Sequence, residues 1–222
     1  MSLALFDLDR TLIDGYAYAR LMPELWRRGI RRDGLAALVA RLVVARAATR
    51  STPLSSWWPQ AFARYLTGLD ARKLAEACAV ASVAVREAVR DELRQEFRRH
   101  RAAGAELWLV TATVHPLAEP VAAALGFEAC IATRVAEQDG RYLGSLAGPV
   151  CRGAEKLSRV REHLAARGLP PALDDISYYA DGAEDLPLLE AVGHPVAVCP
   201  DKSLWPIAVE RGFSVLGTPR AS

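Results

Sequence analysis

Past residue 86 the chain alternates short apolar runs with helical stretches, and this alternation leaves few folds open. Glu106–Thr111, Ala129–Thr133, Ile176–Ala180, Pro195–Val198 and Phe213–Leu216 are short, largely apolar runs that read as buried strands. Between them, helical periodicity occupies about 86–102, Leu117–Leu125, Ala154–Arg167, about 184–192 and 203–211. Strands alternating with helices imply βαβ crossovers and a parallel sheet covered on both faces. Gly104 and Gly126 suit helix ends, and Asp139-Gly140 is a favoured pair for a two-residue hairpin turn.

One strand stands apart. Leu3–Phe6 ends at Asp7, and from Tyr16 to Val85 no strand-like run follows. Four amphipathic pieces fill this stretch, carrying Leu21/Leu25/Trp26, Leu35/Leu38/Leu42/Ala45, Trp58/Phe62/Tyr65 and Leu74/Cys78/Ala81. Gly29, Ser51-Thr52-Pro53 and Gly68 separate them. The expected fold class is therefore α/β: a doubly wound parallel sheet (Rossmann-like) with an all-helical cap inserted after the first strand. The expected boundaries are a core of 1–14 and 86–222 and a cap of 15–85.

Composition excludes several functions. With 222 residues, 51% of them hydrophobic, the chain can bury a core without disulfide or metal staples. Its 28 Lys and Arg nearly balance 26 Asp and Glu and are interleaved with them, which argues against nucleic acid as a partner. The Arg98–Arg101 run lies in a helical pattern and reads as a solvated face. No apolar stretch approaches the ~20 residues of a membrane span, and no signal-peptide pattern follows Met1. Cys78, Cys130, Cys151 and Cys199 match no zinc or redox spacing. The expectation is a reduced, soluble, cytoplasmic protein without membrane partners; its oligomeric state is not legible.

Ligands of such sheets bind at the carboxyl ends of the strands. Here those ends carry Asp7-Leu8-Asp9-Arg10-Thr11, Thr111-Ala112-Thr113 and Asp181-Gly182-Ala183-Glu184-Asp185, while Lys156 opens a helix. Each feature alone is ordinary: D-x-D suits turns, Thr suits caps, and Asp185 suits a first helical turn. Converging, they make a cluster of carboxylates that would repel one another without a cation. Hard oxygen donors suggest Mg²⁺, which keeps waters and favours phosphate partners. A carboxylate can attack phosphorus, a second can act as acid and then base, and a hydroxyl with an ammonium can hold the transferring charge.

In their order these segments resemble the haloacid dehalogenase-like hydrolase superfamily. FDLDRTL is similar to its first motif, LWLVTAT to its second, GAEK to its third and YYADGAEDLPLL to its fourth. The segment Leu186–Val198 and the helical insertion resemble the phosphoserine-phosphatase-like branch (subfamily IB type). The resemblance implies that Asp7 is nucleophile and Mg²⁺ ligand, and that Asp9 is acid/base with its carbonyl on the metal. It implies phosphoryl binding by Thr111, Ala112 and Lys156, metal ligation by Asp181, and a supporting role for Asp185. An Asp at position 9 fits phosphate-ester hydrolysis. The substrate would be a small phosphorylated metabolite, with phosphoserine, histidinol phosphate and phosphocholine types as candidates. A phosphotransferase or phosphomutase is the alternative within the class. A receiver-type phospho-acceptor module is disfavoured, because 101 residues separate Asp9 from Thr111.

Departures from the family pattern bear on the substrate. Arg10 stands where Gly or Ser is usual, and Tyr16 where phosphoserine phosphatases carry a substrate-reading Glu. Tyr16, Tyr18, Trp57 and Trp58 either form a cage for an amine or pack the cap's own core. His115, just beyond Thr111, is a further specificity candidate.

Overall fold

The computed structural model describes residues 2–30, 54–169 and 172–220. Strands β1 (Leu3–Phe6), β2 (Glu106–Val114), β3 (Ala129–Thr133), β6 (Ile176–Ala180), β7 (His194–Val198) and β8 (Ser214–Leu216) form one parallel sheet in the order β3-β2-β1-β6-β7-β8. Every residue of β1 and β6 is buried, as a parallel sheet covered on both faces requires. Alternation then divides the core. Phe6, Leu107, Leu109 and Tyr179 face one layer, and Leu5, Trp108, Val110 and Tyr178 the other.

The remaining elements are α1 (Ala17–Arg27), α2 (Leu54–Tyr65), α3 (Ala71–Glu87), α4 (Asp91–Ala102), α5 (His115–Leu125), the hairpin β4 (Val135–Gln138) and β5 (Arg141–Leu146), α6 (Ala154–Ala166), α7 (Leu186–Leu189) and α8 (Leu204–Glu210). Asp70 caps α3 through the Lys73 N–H, and left-handed Gly126 ends α5. Asp139 and Gly140 both take positive φ, the geometry of a tight primed turn between β4 and β5. Helices α1, α2 and α3 lie between β1 and α4. Their buried Leu21, Phe62, Leu74 and Cys78 share one apolar cluster with Phe6 and Leu109 of the sheet. The piece anticipated around Leu35–Ala45 lies outside the described residues.

Two expected helices are shorter than their periodicity suggests. The helix expected from 86 starts at Asp91, because Val89 bridges to Ile13 and Arg90 turns extended toward the loop after β1. The helix expected over 184–192 is a 3-10 turn (Ala183–Asp185) followed by α7. It stops before Gly193, where a β-carbon would stand 1.7 Å from the Asp174 carbonyl oxygen, closer than packing allows. All four cysteines are free thiols. Among the described residues no helix is long and apolar enough to cross a membrane.

Candidate active site

Register places the site. Phe6 lies opposite Leu109 of β2 and Tyr179 of β6, so Asp7 leaves the sheet between Thr111 and Asp181. Thr111 lies three residues before the end of β2, which runs past the expected end at Thr111 to Val114, and Asp181 stands just beyond β6. Strand order reverses about β1, and a crevice opens at such a switch point. The cavity there measures about 480 Å³. Asp7, Asp9 and Arg10 line it with Thr111, Ala112, Thr113 and Asp181, while Tyr16, Tyr18 and Trp58 border it from the α1–α2 side.

Asp7 and Asp181 are buried, and the Thr11 hydroxyl spans them, 2.9 Å from Asp7 Oδ2 and 3.1 Å from Asp181 Oδ1. Lys156, 2% exposed, directs its ammonium at Asp7 Oδ1 (2.7 Å), Asp185 Oδ2 (2.9 Å) and the Tyr178 hydroxyl (3.0 Å). Burial opposes the lysine's charge, but Asp185 and Asp7 hold its pKa well above the ordinary value. Burial likewise raises Asp7, Asp181 and Asp185, each offset by a neighbouring cation.

Asp9 is held differently. It accepts the Ala17 N–H (2.6 Å) on Oδ1 and the Thr113 hydroxyl (2.6 Å) on Oδ2, both uncharged donors. Burial pushes its pKa up to about 6, and the two donors hold it from going higher. The turn carrying Asp7 and Asp9 is strained at Arg10, whose φ is 67°. Among the bonds that fix it are Arg10 N–H to the Gly15 carbonyl, Arg90 N–H to the Leu12 carbonyl and Arg90 Nε to the Thr11 carbonyl.

The other anticipated residues divide. Thr111 is buried, and its oxygen accepts the Thr113 N–H. Asp185 reaches Asp7 through Lys156, and its buried Oδ1 has no hydrogen-bond partner. Arg10 flanks the carboxylates, its Nε 3.6 Å from Asp181 Oδ2. Tyr16, Tyr18 and Trp58 form a continuous strip with ring spacings of 5.3 and 4.2 Å. The strip touches Phe62, which with Tyr65 belongs to the core instead. The side chain of Trp57 lies outside the described residues. His115 does not line the cavity; its Nδ1 accepts the Val135 N–H, tying α5 to β4. Thr11, Thr113, Tyr178, Arg90 and Arg220 were not anticipated. Thr11, Thr113 and Tyr178 sit inside motif segments already noted, and Arg90 and Arg220 carry no local signal.

A resident Mg²⁺ fits this donor set. Two buried carboxylates, Asp7 and Asp181, share one hydroxyl, and their oxygens are hard donors of the kind this ion takes. Mg²⁺ sites typically supply one or two carboxylates and leave the rest to water and phosphate. Asp7, Asp181 and the Asp9 carbonyl would hold the ion.

A parallel α/β sheet with a carboxylate pair, hydroxyls and a buried ammonium at its switch point is the equipment of a phosphoryl-transfer hydrolase. The haloacid dehalogenase-like hydrolase model matches residues 4–190, and the chain belongs to that family; it is a phosphatase. It is 30% identical to phosphoserine phosphatase SerB1 of Mycobacterium tuberculosis over 96% of this chain and 69% of the relative. It is 35% identical to a histidinol-phosphatase of Neisseria meningitidis over 53% of this chain and 54% of that protein. A crystal structure of a protein of unknown function from Bordetella pertussis Tohama I superposes with a TM-score of 0.84, at 32% identity and 97% coverage of both chains.

Proposed function

We propose that this phosphatase hydrolyses a small phosphate monoester in two steps through an aspartyl-phosphate on Asp7. The observation carrying the reading is the contrast between two carboxylates two residues apart. Lys156 donates a charge-assisted hydrogen bond to Asp7 and offsets the burial that raises it, whereas Asp9 has only neutral donors and is pushed up to about 6. In the first step a carboxylate oxygen of Asp7 forms a bond to phosphorus, the ester P–O bond breaks, and Asp9 gives its proton to the leaving alkoxide. In the second, Asp9 takes a proton from water as the water oxygen bonds to phosphorus, the Asp7 O–P bond breaks, and inorganic phosphate leaves with the Asp7 carboxylate restored. A pKa near 6 serves both directions at neutral pH. Thr111, the Ala112 backbone and Lys156 bind the phosphoryl oxygens. Mg²⁺, when bound, supplies charge neutralisation between phosphate and carboxylates.

Residues 15–85 act as the cap, closing the cavity from the α1–α2 side and excluding water. The strip of Tyr16, Tyr18 and Trp58, with Glu184 and Asp201 also lining the cavity, favours a leaving group that carries a cationic nitrogen, as in amino-alcohol phosphates. The test is turnover of p-nitrophenyl phosphate with Mg²⁺, together with acid-quench trapping of a phosphorylated chain. Asp7→Asn should lower kcat by roughly 10³-fold or more and abolish trapping. Undiminished turnover in that variant overturns the reading.

A further inference from the structure

The segment after β8 returns to the carboxylate cluster. Arg220 is tied by its backbone N–H to the Pro200 carbonyl (3.0 Å), among the described residues the one hydrogen bond holding the backbone of residues 218–220. Its side chain reaches in, 19% exposed. Nη1 donates to Asp181 Oδ2 (2.9 Å) and Nη2 to the Arg10 carbonyl (2.6 Å). Arg10 Nε stands 3.6 Å from the same Asp181 oxygen, and Oδ1 is taken by the Thr11 hydroxyl. Both oxygens of Asp181 are thus engaged, one of them by two guanidinium groups.

We propose that Arg220 is a resident counter-cation of Asp181 with which an incoming divalent cation must compete. The proposal rests on the reading of Asp7 and Asp181 as ligands of such a cation. Two features favour competition over simple bracing. First, Arg220 Nε is buried with no acceptor; an unmade bond of this kind is costly in a side chain placed only to brace. Second, the charge ledger leaves Asp181 dependent on it. Lys156 is committed to Asp7 and Asp185, while Arg10 is more than a third exposed and beyond hydrogen-bond distance. Without metal, Arg220 is the closest positive charge on Asp181. With metal, the guanidinium withdraws electron density from a ligand oxygen and repels the ion. Arg220 therefore sets how much free Mg²⁺ the site needs, while the chain stays folded in its absence.

The test is calorimetric titration of Mg²⁺ into chelator-stripped wild type, Arg220→Met, Arg220→Gln, Arg220→Lys and Asp181→Asn. Arg220→Met should bind Mg²⁺ about tenfold more tightly and show a larger Mg²⁺-induced rise in Tm, since the metal-free form has lost its counter-cation. Arg220→Gln, which keeps an amide donor but no charge, should behave alike and gives the answer even if the Met variant misfolds. Arg220→Lys should stay within about threefold of wild type, because charge and not the fork is what competes. Equal or weaker affinity in the two neutral variants overturns the role of Arg220. The site reading fails separately, if wild type binds no Mg²⁺ saturably or Asp181→Asn binds it as well as wild type does.

Discussion

Replacing Lys156 separates the electrostatics of this site from its packing. The lysine stands in the first turn of α6, where the helix dipole disfavours a cation. What holds it there is the set of three acceptors, Asp7, Asp185 and the Tyr178 hydroxyl, one for each ammonium N–H. Lys156→Met leaves two buried carboxylates without their cation, a change that costs about 3–5 kcal/mol. In a domain of this size each kcal/mol moves Tm by about 2–4 °C, so the expected fall is roughly 6–20 °C at pH 7 in chelator. The loss should shrink as pH falls, because burial raises Asp7 and Asp185 and a protonated carboxyl needs no cation. Lys156→Arg keeps the charge, but a longer planar fork cannot address three acceptors disposed around one nitrogen. Overpacking adds about 1–3 kcal/mol, and one lost charge-assisted bond about 1.5–3 kcal/mol. With p-nitrophenyl phosphate as substrate, kcat should drop at least about 100-fold, since the phosphoryl oxygens lose a placed cation. A Tm within 1 °C of wild type for the Met variant by circular dichroism, equivalent to about 0.3–0.5 kcal/mol at most, would refute the electrostatic account. A kcat within about twofold of wild type for Lys156→Arg would refute the geometric one.

Two further outcomes follow from the same geometry. Asp9 titrates at about 6 when folded, against an ordinary aspartate at 3.8. The folded state therefore holds its proton more tightly, and metal-free stability contributed by this group falls as pH rises from 4 to 6. The total is at most about 3 kcal/mol. Asp9→Asn should thus gain on wild type at pH 7 and not at pH 4 in urea unfolding with chelator; a gap independent of pH would count against a raised pKa. Trp58→Ala removes one end of the aromatic strip. KM for a choline- or histidinol-type phosphate should rise about 5–30-fold, the equivalent of 1–2 kcal/mol of cation–π attraction, with kcat on p-nitrophenyl phosphate little changed. An unaltered KM would show that the strip packs the protein and does not read the substrate.

The sheet was legible because its central strands β1 and β6 are buried throughout and β2 nearly so, and their apolar runs end where polarity resumes. Asp7, Thr111 and Asp181 stand at those ends, which is why the carboxylate crevice could be located without coordinates. Helix boundaries were less legible where tertiary demands override periodicity. Arg90 interrupts an otherwise helical stretch because its guanidinium serves the Thr11 carbonyl, and its partner lies 79 residues away. The aromatic residues of α1 and α2 were undecidable in sequence, since Tyr18, Trp58, Phe62 and Tyr65 carry the same chemistry. Their rings form one chain of contacts, and position along it decides which border the cavity and which enter the core.

The D-x-D pair shows where sequence and environment divide the work. Asp7 and Asp9 are the same residue type on the same turn, and nothing in their immediate sequence separates the roles proposed for them, attack on phosphorus and proton transfer. The assignment comes from elements 100 residues or more away in the chain. Lys156, 149 residues from Asp7, brings a charge, while Thr113, 104 residues from Asp9, brings a neutral hydroxyl. A charged donor favours the ionised carboxylate strongly and a hydroxyl only weakly, so the burial that raises both aspartates meets a charged opponent at Asp7 and only neutral ones at Asp9. The left-handed turn at Arg10 follows directly on Asp9 and turns the chain back toward Gly15, whose carbonyl accepts the Arg10 N–H. The same turn presents the Arg10 carbonyl to Arg220, so the segment after β8 is coupled to the division of labour between the two aspartates.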